Sequence, residues 1–568
     1  MKNIIDLSHY LPKDNTMDAT PAVVKALEDA RGIKNPMLVF PAGTWHFWPT
    51  RASEKFYYIS NNDNGIKRIL FHIINYSDIT IDGNGAELIF HGRIIPFVID
   101  NSRNVTIKKF KIDYIHPFYT QGKVVASGKD FVDLEIDYNR YLGHSEGNRL
   151  VFYSDEVPYE PEDGLYMLEF DAEKNEPAYG KSPTFARQGK NNELFFTRES
   201  PVLTTSQTGN RLRMNFEFFC RPDVGNNLHI NLERRLCPGI FITQSANIAI
   251  EDMRIYHTLA MALIAQVSSD ITLRRVHIGV REGSGDTVSA NADATHFLHC
   301  TGHILMEDCI FKNMMDDATN IHGMYTKITG VPTDNQIEVG FGHFQQVGVP
   351  IYSPGDRIAF VDKRSFAYTG DAIITAVKVI NASYVLLTLD RNIRALASPD
   401  CVVDLPDKTP SVTLRRIRTG KNRSRGFLIS TNKKVLIEDC EFHNSCQAIH
   451  LTGDANSWHE SGPVNDLTIR NCVFNDVGYE RSLPPIEAWP EISADTAPPF
   501  HKNIHIENNR FIVNSSVLIK ARHCANITGR NNTYAKSKAY PFTRLDKPML
   551  ELYNCSNVTI DEIVEGKR

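Results

Sequence analysis

Two stretches of this chain concentrate side chains able to do chemistry: Ser289-Ala290-Asn291-Ala292-Asp293-Ala294-Thr295-His296 and Met314-Met315-Asp316-Asp317-Ala318-Thr319-Asn320-Ile321-His322-Gly323. Asp293 and Asp316 stand 23 residues apart (316 − 293), and Asp317 adjoins the second. Like charges held close repel, so in such a trio one carboxyl keeps its proton to higher pH while another stays ionised. Acid/base cleavage of a glycosidic bond needs that division. The same acids could instead form a solvated turn or bind calcium through their oxygens. His296, Asn320 and His322 lie beside them and offer ring nitrogens and an amide to a substrate's hydroxyls. Gly453 to Pro463 adds Trp458, a flat apolar face for the C–H side of a sugar ring, and Glu460, an acceptor for hydroxyls. Phe47-Trp48-Pro49 and Asn61-Asn62-Asp63 are weaker cases, read as structural.

What positions these residues is a repeat. A polar residue, often Asn or Asp, precedes a run of apolar, any, apolar, any, any, apolar or small, as in Asn247 to Ile255. The pattern begins again at Ile79, Val105, Ile271, Ile304, Val412, Val435, Leu467, Ile504, Ile527 and Val558. Several intervals are 23 residues and the rest are longer, as expected of coils that carry loops. A strand this short cannot bury its inward face alone and must stack on its neighbours. Leucine-rich repeats have a similar period, but Val, Ile, Thr and Asn dominate here. The expected fold is therefore all-β, a right-handed parallel β-helix whose equivalent residues stack about 4.8 Å apart.

On a 23-residue coil, Asp293 and Asp316 fall in one slot on adjacent rungs, where neighbouring coils carry Ala260 and Ser424. Arg425 falls one rung beyond Asp317, as a partner for a carboxylate or a sugar hydroxyl, or as a plain salt bridge; Gln266, His299, His322 and Ser430 align with one another. Strict alternation would point Asp316 and Asp317 to opposite faces, so both serve one site only in a turn or bulge.

Cys309, Cys440 and Cys472 share a slot with Val276 and Ile417, which reads as core packing. The sequons at Asn104, Asn526 and Asn557 occupy the polar slot before a strand and read as turn residues. An open solenoid end needs a cap, and Asp18 to Gly32 fits a helix with Thr20 as N-cap, Pro21 at the first position and Gly32 as stop. Two gaps interrupt the repeat. The first holds alternating runs at Phe131 to Tyr138, Leu165 to Phe170 and Leu212 to Phe219; the second holds Arg357 to Val361, Ala372 to Val377 and Tyr384 to Leu389. Both read as inserted antiparallel β-barrel-like domains. The expected organisation is a cap and first coils over 1–116, an insertion over 117–240, coils with the acidic cluster over 241–324, a second insertion over 325–410 and final coils over 411–568.

The 568 residues carry 62 basic and 67 acidic side chains, net −5, with no basic cluster, which argues against a nucleic-acid partner. No apolar run approaches the roughly 20 residues of a membrane span. The N-terminus lacks a continuous apolar stretch of signal-peptide length, so either the protein stays in the cytoplasm or a signal has been trimmed. The ten cysteines include no CxxC pair, so zinc ribbons and thioredoxin chemistry are not expected, and no metal or other cofactor is assigned.

Taken together, Phe47-Trp48-Pro49, Ile59-Ser60-Asn61-Asn62-Asp63, Ile89-Phe90-His91-Gly92, the two acidic stretches and Gly453 to Pro463 resemble glycoside hydrolase family 110, the α-1,3-galactosidases, over nearly the whole chain. The resemblance implies an inverting exo-enzyme releasing terminal α-1,3-linked galactose, from the branched blood-group B determinant, from linear glycans or from both. It also implies a β-helix with inserted barrels and a location outside the cytoplasm, periplasmic or secreted. By the same resemblance Asp316 would be the general acid, with Asp293 and Asp317 activating water. The rival readings are a calcium-dependent polysaccharide lyase, another β-helix polysaccharide hydrolase, or a non-catalytic glycan-binding solenoid. A homodimer is compatible with all of them.

Overall fold

The computed structural model describes residues 3–153, 158–159, 164–187, 202–231, 235–494, 496–544 and 546–566. Parts of the expected first insertion therefore lie outside the described residues.

Three long sheets wind around one core. The first runs from Asn3–Asp6 to Ser556–Ile560 in thirteen parallel strands, the second from Thr44–Phe47 to Val564–Glu565, and the third from Ser53–Tyr57 to Leu550–Tyr553. Each of the eleven repeat units enters the first sheet, with Ile248 opposite Val105 and Ile271, and Val435 opposite Val412 and Leu467. The first two strands, Asn3–Asp6 and Pro36–Val39, lack the pattern and were not expected. The fold is thus the expected all-β one, a parallel β-helix with inserted antiparallel β units.

The polar slot has a backbone cause. Asp78, Asn104, Asn247, Asp270, Asn503, Asn526 and Asn557 all adopt left-handed φ between 53° and 61°, which Asn and Asp tolerate better than most residues. Their side chains form ladders: Asn247 donates to Asn104 at 2.7 Å, and Asn526 to Asn503 at 2.8 Å. The three sequon asparagines are therefore corner residues. Cys309, Cys440 and Cys472 are buried free thiols in the core, together with Val276 and Ile417.

The cap helix is Thr20–Ala30. Thr20 is its first residue rather than its N-cap, and the Asp18 carboxylate accepts from the Thr20 N–H at 2.9 Å. In the second gap, six strands from Thr326–Thr333 to Cys401–Asp404 close into an antiparallel barrel. Leu298 and Met324 of the third sheet pack into its core, which fixes the barrel beside that sheet. In the first gap the described strands form an eight-stranded antiparallel sheet and a three-stranded one.

Candidate active site

The acids lie in the turns that lead into the third sheet. The observed register pairs Thr295 with Thr319 and His296 with Asn320, an offset of 24 residues (319 − 295). Asp293 therefore stacks on Asp317, and Ala294 N–H donates to Asp317 O at 2.9 Å. Asp316 does not share a slot with Asp293 as the 23-residue count required. It lies in a bend opposite Ala292, because the 24-residue offset already holds at the Ala290–Met314 bridge; the added residue of this coil falls earlier, where Thr301 pairs with Ser269 but Ile304 with Ile271. The same offset puts Leu298, not His299, between Gln266 and His322. The bend also lets consecutive aspartates face one site. It is held from the next rung, where Asn422 Nδ2 donates to Asp316 O at 2.8 Å and Arg423 Nε to Met315 O at 2.5 Å. Gly426 keeps that rung close, because a Cβ there would lie 2.3 Å from Ala448 O.

One oxygen from each of Asp293, Asp316 and Asp317 lies within 4.8 Å of the other two. Three guanidiniums answer this charge. Arg235 donates to Asp316 Oδ2 at 2.8 Å, Arg423 to Asp316 Oδ1 at 3.2 Å, and Arg425 to Asp317 Oδ1 through Nε at 2.9 Å and backbone N–H at 3.0 Å. The trio has the oxygens to bind a hard cation, but both Asp316 oxygens already accept from arginine, and the positive charge is supplied by side chains.

The ionisations are driven apart. Burial pushes Asp293 up to about 8, helped by the Asp316 charge. Burial also lifts Asp317, to about 6, against the pull of Arg425. For Asp316 burial acts upward too, but Arg423, then Arg235 and Arg425, hold it below its ordinary value.

With both histidine rings neutral, hydrogen-bond direction fixes where the proton sits. His322 Nδ1 lies 2.6 Å from Gly323 O, and a carbonyl only accepts, so Nδ1 carries the hydrogen. Burial holds His322 below its usual value, so its ring is neutral and Nε2 accepts from His296 Nε2 at 2.9 Å. Burial keeps His296 at about 4, so it too is neutral, and its Nδ1 must accept from Asp293 Oδ2 at 2.7 Å. Asp293 is thus the protonated member, in agreement with the electrostatics.

The trio forms the floor of a cavity of about 320 Å³, at the small end of ligand pockets, which start at roughly 300 Å³. His296, Asn320, Arg425, Trp458 and Glu460 line it as well. Asn320 Nδ2 donates to Glu460 Oε1 at 3.2 Å, and the Trp458 ring lies 4.3 Å from that of His343. His322, expected to touch substrate, instead sits behind His296 with both ring nitrogens engaged. Asn61, read as structural, does line the cavity. The Oδ1 atoms of Asn61 and Asn320 are buried and accept no hydrogen bond from the protein among the described residues. Trp48 keeps its structural reading, stacked on His91 at 3.8 Å.

Sequence reasoning missed Arg235, Arg423, His450, Asp454 and Glu491, all cavity-lining. Arg423 was within reach, two residues before Arg425 on the same turn. Arg235 carries no periodic signal, since it lies at the end of the first insertion.

Fold and site together define a β-helical protein with an acidic, arginine-braced pocket of small-ligand size. Residues 336–402 match the family description GLAA-B beta-barrel domain II. The chain is 32% identical to alpha-1,3-galactosidase A of Shewanella woodyi, covering 92% of this chain and 84% of that one, and 30% identical to alpha-1,3-galactosidase B of Bacteroides thetaiotaomicron, covering 99% and 91%. Among solved structures it resembles the mannuronan C-5 epimerase AlgE6 A-module of Azotobacter vinelandii, at 8% identity and TM-score 0.42 over 99% of each chain. The protein belongs to the α-1,3-galactosidases, glycoside hydrolase family 110.

Proposed function

We propose that this glycoside hydrolase releases terminal α-1,3-linked galactose with inversion, and that Asp293, Asp316 and Asp317 carry the reaction. One observation bears most of this reading: three carboxylates share a pocket floor, and their environments set their ionisations apart, so that acid and base coexist near neutral pH.

Asp316 is the member most open to the cavity, its side chain 17% exposed against 5% for Asp293 and 2% for Asp317. It is therefore the one placed to reach a leaving oxygen. In the free protein the proton rests on Asp293, within 4.8 Å, so donation by Asp316 requires that proton to pass to it once the sugar's hydroxyls loosen the arginine pairs. Asp293 and Asp317, stacked on adjacent rungs, then hold and deprotonate the attacking water. The glycosidic C–O bond breaks, the leaving oxygen gains the proton, and the water's oxygen joins the anomeric carbon from the opposite face. His296, Asn320, Asn61 and Glu460 bind the ring's hydroxyls, Trp458 packs on its C–H face, and His322 fixes the His296 tautomer.

The trio's oxygens lie closer than the roughly 6.5–9.5 Å between carboxyls in two-acid inverting sites. Inversion here needs water held by a stacked pair beside the acid. Incubation with linear and branched α-1,3-galactosyl oligosaccharides, followed by NMR, tests both parts: β-galactose should appear first. Initial α-galactose overturns inversion, and no galactose overturns the activity. A calcium-dependent lyase would instead give an unsaturated product that a chelator suppresses. Periplasmic or secreted placement follows the family reading alone.

A further inference from the structure

A cavity of about 320 Å³ accommodates the terminal sugar, and the rest of the glycan must leave across some surface. Ways out are limited. On the N-terminal side the 60–61 segment closes over the third sheet, with Ser60 N–H donating to Gln266 at 2.9 Å. One flank is the Trp458 loop, tied to the barrel by Gln346 Nε2 donating to Trp458 O at 2.5 Å. The other is Arg423, which lies 5.8 Å from the ring of Tyr166 in the first insertion.

Toward the C-terminus the outer face of the third sheet continues past the pocket, where Trp489, Lys520 and Arg522 are half-buried and Tyr553 is exposed. Registers stack His450, Glu487, Lys520 and Glu551 in one column. Two residues further along each strand, the second column runs from Thr452, at the pocket rim, to Trp489, Arg522 and Tyr553. Thr452 Oγ1 donates to Trp489 O at 3.3 Å, so Trp489 is one rung from the pocket wall.

Trp489 is half-buried on an outward-facing position, where the solenoid core gains nothing from an indole. It is also held in place. Lys520 Nζ sits 4.0 Å above its ring and Arg522 5.4 Å away, both from the following rung, while Tyr553 meets it edge-on at 5.6 Å. Lys520 is itself fixed by Glu487 at 3.0 Å. Both cations come from the rung on the C-terminal side of Trp489, while Thr452, at the pocket rim, is on the rung before it. An aromatic face immobilised in advance loses little entropy on binding.

We propose that Trp489 is the platform for the leaving-group sugar: the unit next to the terminal galactose packs its C–H face on the Trp489 ring. This rests on the galactosidase reading and assigns to it the recognition of the remaining glycan. Two substrates separate the ideas, a linear α-1,3-galactosyl trisaccharide and α-galactosyl fluoride, whose leaving group has no ring to stack. In Trp489→Ala, kcat/KM for the trisaccharide should fall about tenfold more than for the fluoride. Trp489→Phe should recover most of the difference, in variants that melt with wild type. Equal losses on the two substrates, or none, overturn the subsite while leaving the galactosidase intact. Wild-type protein that hydrolyses neither substrate overturns the parent reading.

Discussion

Two stacks of charged residues on this solenoid obey opposite rules. On the first sheet, one outward column reads Asp82, Lys108, Glu251, Arg274, Glu307, Arg415, Glu438, Arg470, Glu507 and Arg530, alternating in sign at every rung. Each rung's charge is answered by its neighbours, as where Arg470 meets Glu438 at 2.6 Å and Arg530 meets Glu507 at 2.6 Å. At the turn into the third sheet, Asp293 instead stacks on Asp317 with Asp316 beside it, like on like. A fold that alternates charge where charge only decorates has kept repulsion where it shifts protons. The contrast singles out the trio as the candidate site on physical grounds, since burying like-charged groups costs stability even where three arginines offset part of the repulsion.

The largest break in this comparison is catalytic. Asp316→Asn should lower galactose release from an oligosaccharide by roughly 10²–10⁴-fold, the usual range for a lost general acid or base. The same variant should lose much less on α-galactosyl fluoride, because fluoride departs without a proton. If Asp293→Asn is the variant spared on fluoride, Asp293 itself donates and Asp316 serves the water. Initial rates on the two substrates decide.

The pH dependence sharpens the same point. Asp317 must be ionised and the trio's proton retained, so kcat/KM should rise through about pH 6 and fall above about pH 8. In Arg425→Gln the lower limb should move to higher pH, because Arg425 is what pulls the Asp317 value down. A limb that stays fixed in that variant assigns it to another group.

How far the sequence carries these arguments depends on which residues the repeat governs. Apolar positions such as Ile248 and Ile271 face one core, so their spacing revealed the rungs, and coil-to-coil proximity of the acids followed. The single residue that separates a 23-residue from a 24-residue coil enters at the start of a first-sheet strand, between Thr301 and Ile304, ahead of the inward-facing apolar positions that carry the pattern. The count therefore stacked Asp293 on Asp316 when it lies on Asp317. Arg235 reaches Asp316 from the end of an inserted domain, and contacts of that kind have no period to read. The alternating ladder was legible in principle, since Glu251 and Arg274, Arg415 and Glu438, and Glu507 and Arg530 each stand one coil apart.

The smallest effects carry the sharpest sign. The Asp293 value is raised, so its contribution to stability is complete below its ordinary value near 3.8 and is lost as pH climbs toward about 8. Asparagine cannot ionise, and its Nδ2 can donate to His296 Nδ1 as the protonated carboxyl does. Asp293→Asn should therefore melt higher than wild type at pH 8 by about 1–2 °C, with a smaller gain at pH 5. In the ladder, Glu438 is buried enough to be pushed upward, yet Arg470 and Arg415 hold it below its ordinary value. Its stabilising contribution is present above that ordinary value and is lost as pH falls through the lowered one. Glu438→Gln should cost about 0.5–1 kcal/mol at pH 7, a modest figure because both arginines are about one-third or more exposed and solvent screens them. Neutralising an acid thus stabilises one stack and destabilises the other. Thermal melts of the two variants at pH 5, 7 and 8 read both signs, and matching signs would mean that repulsion in the trio is already relieved by its arginines.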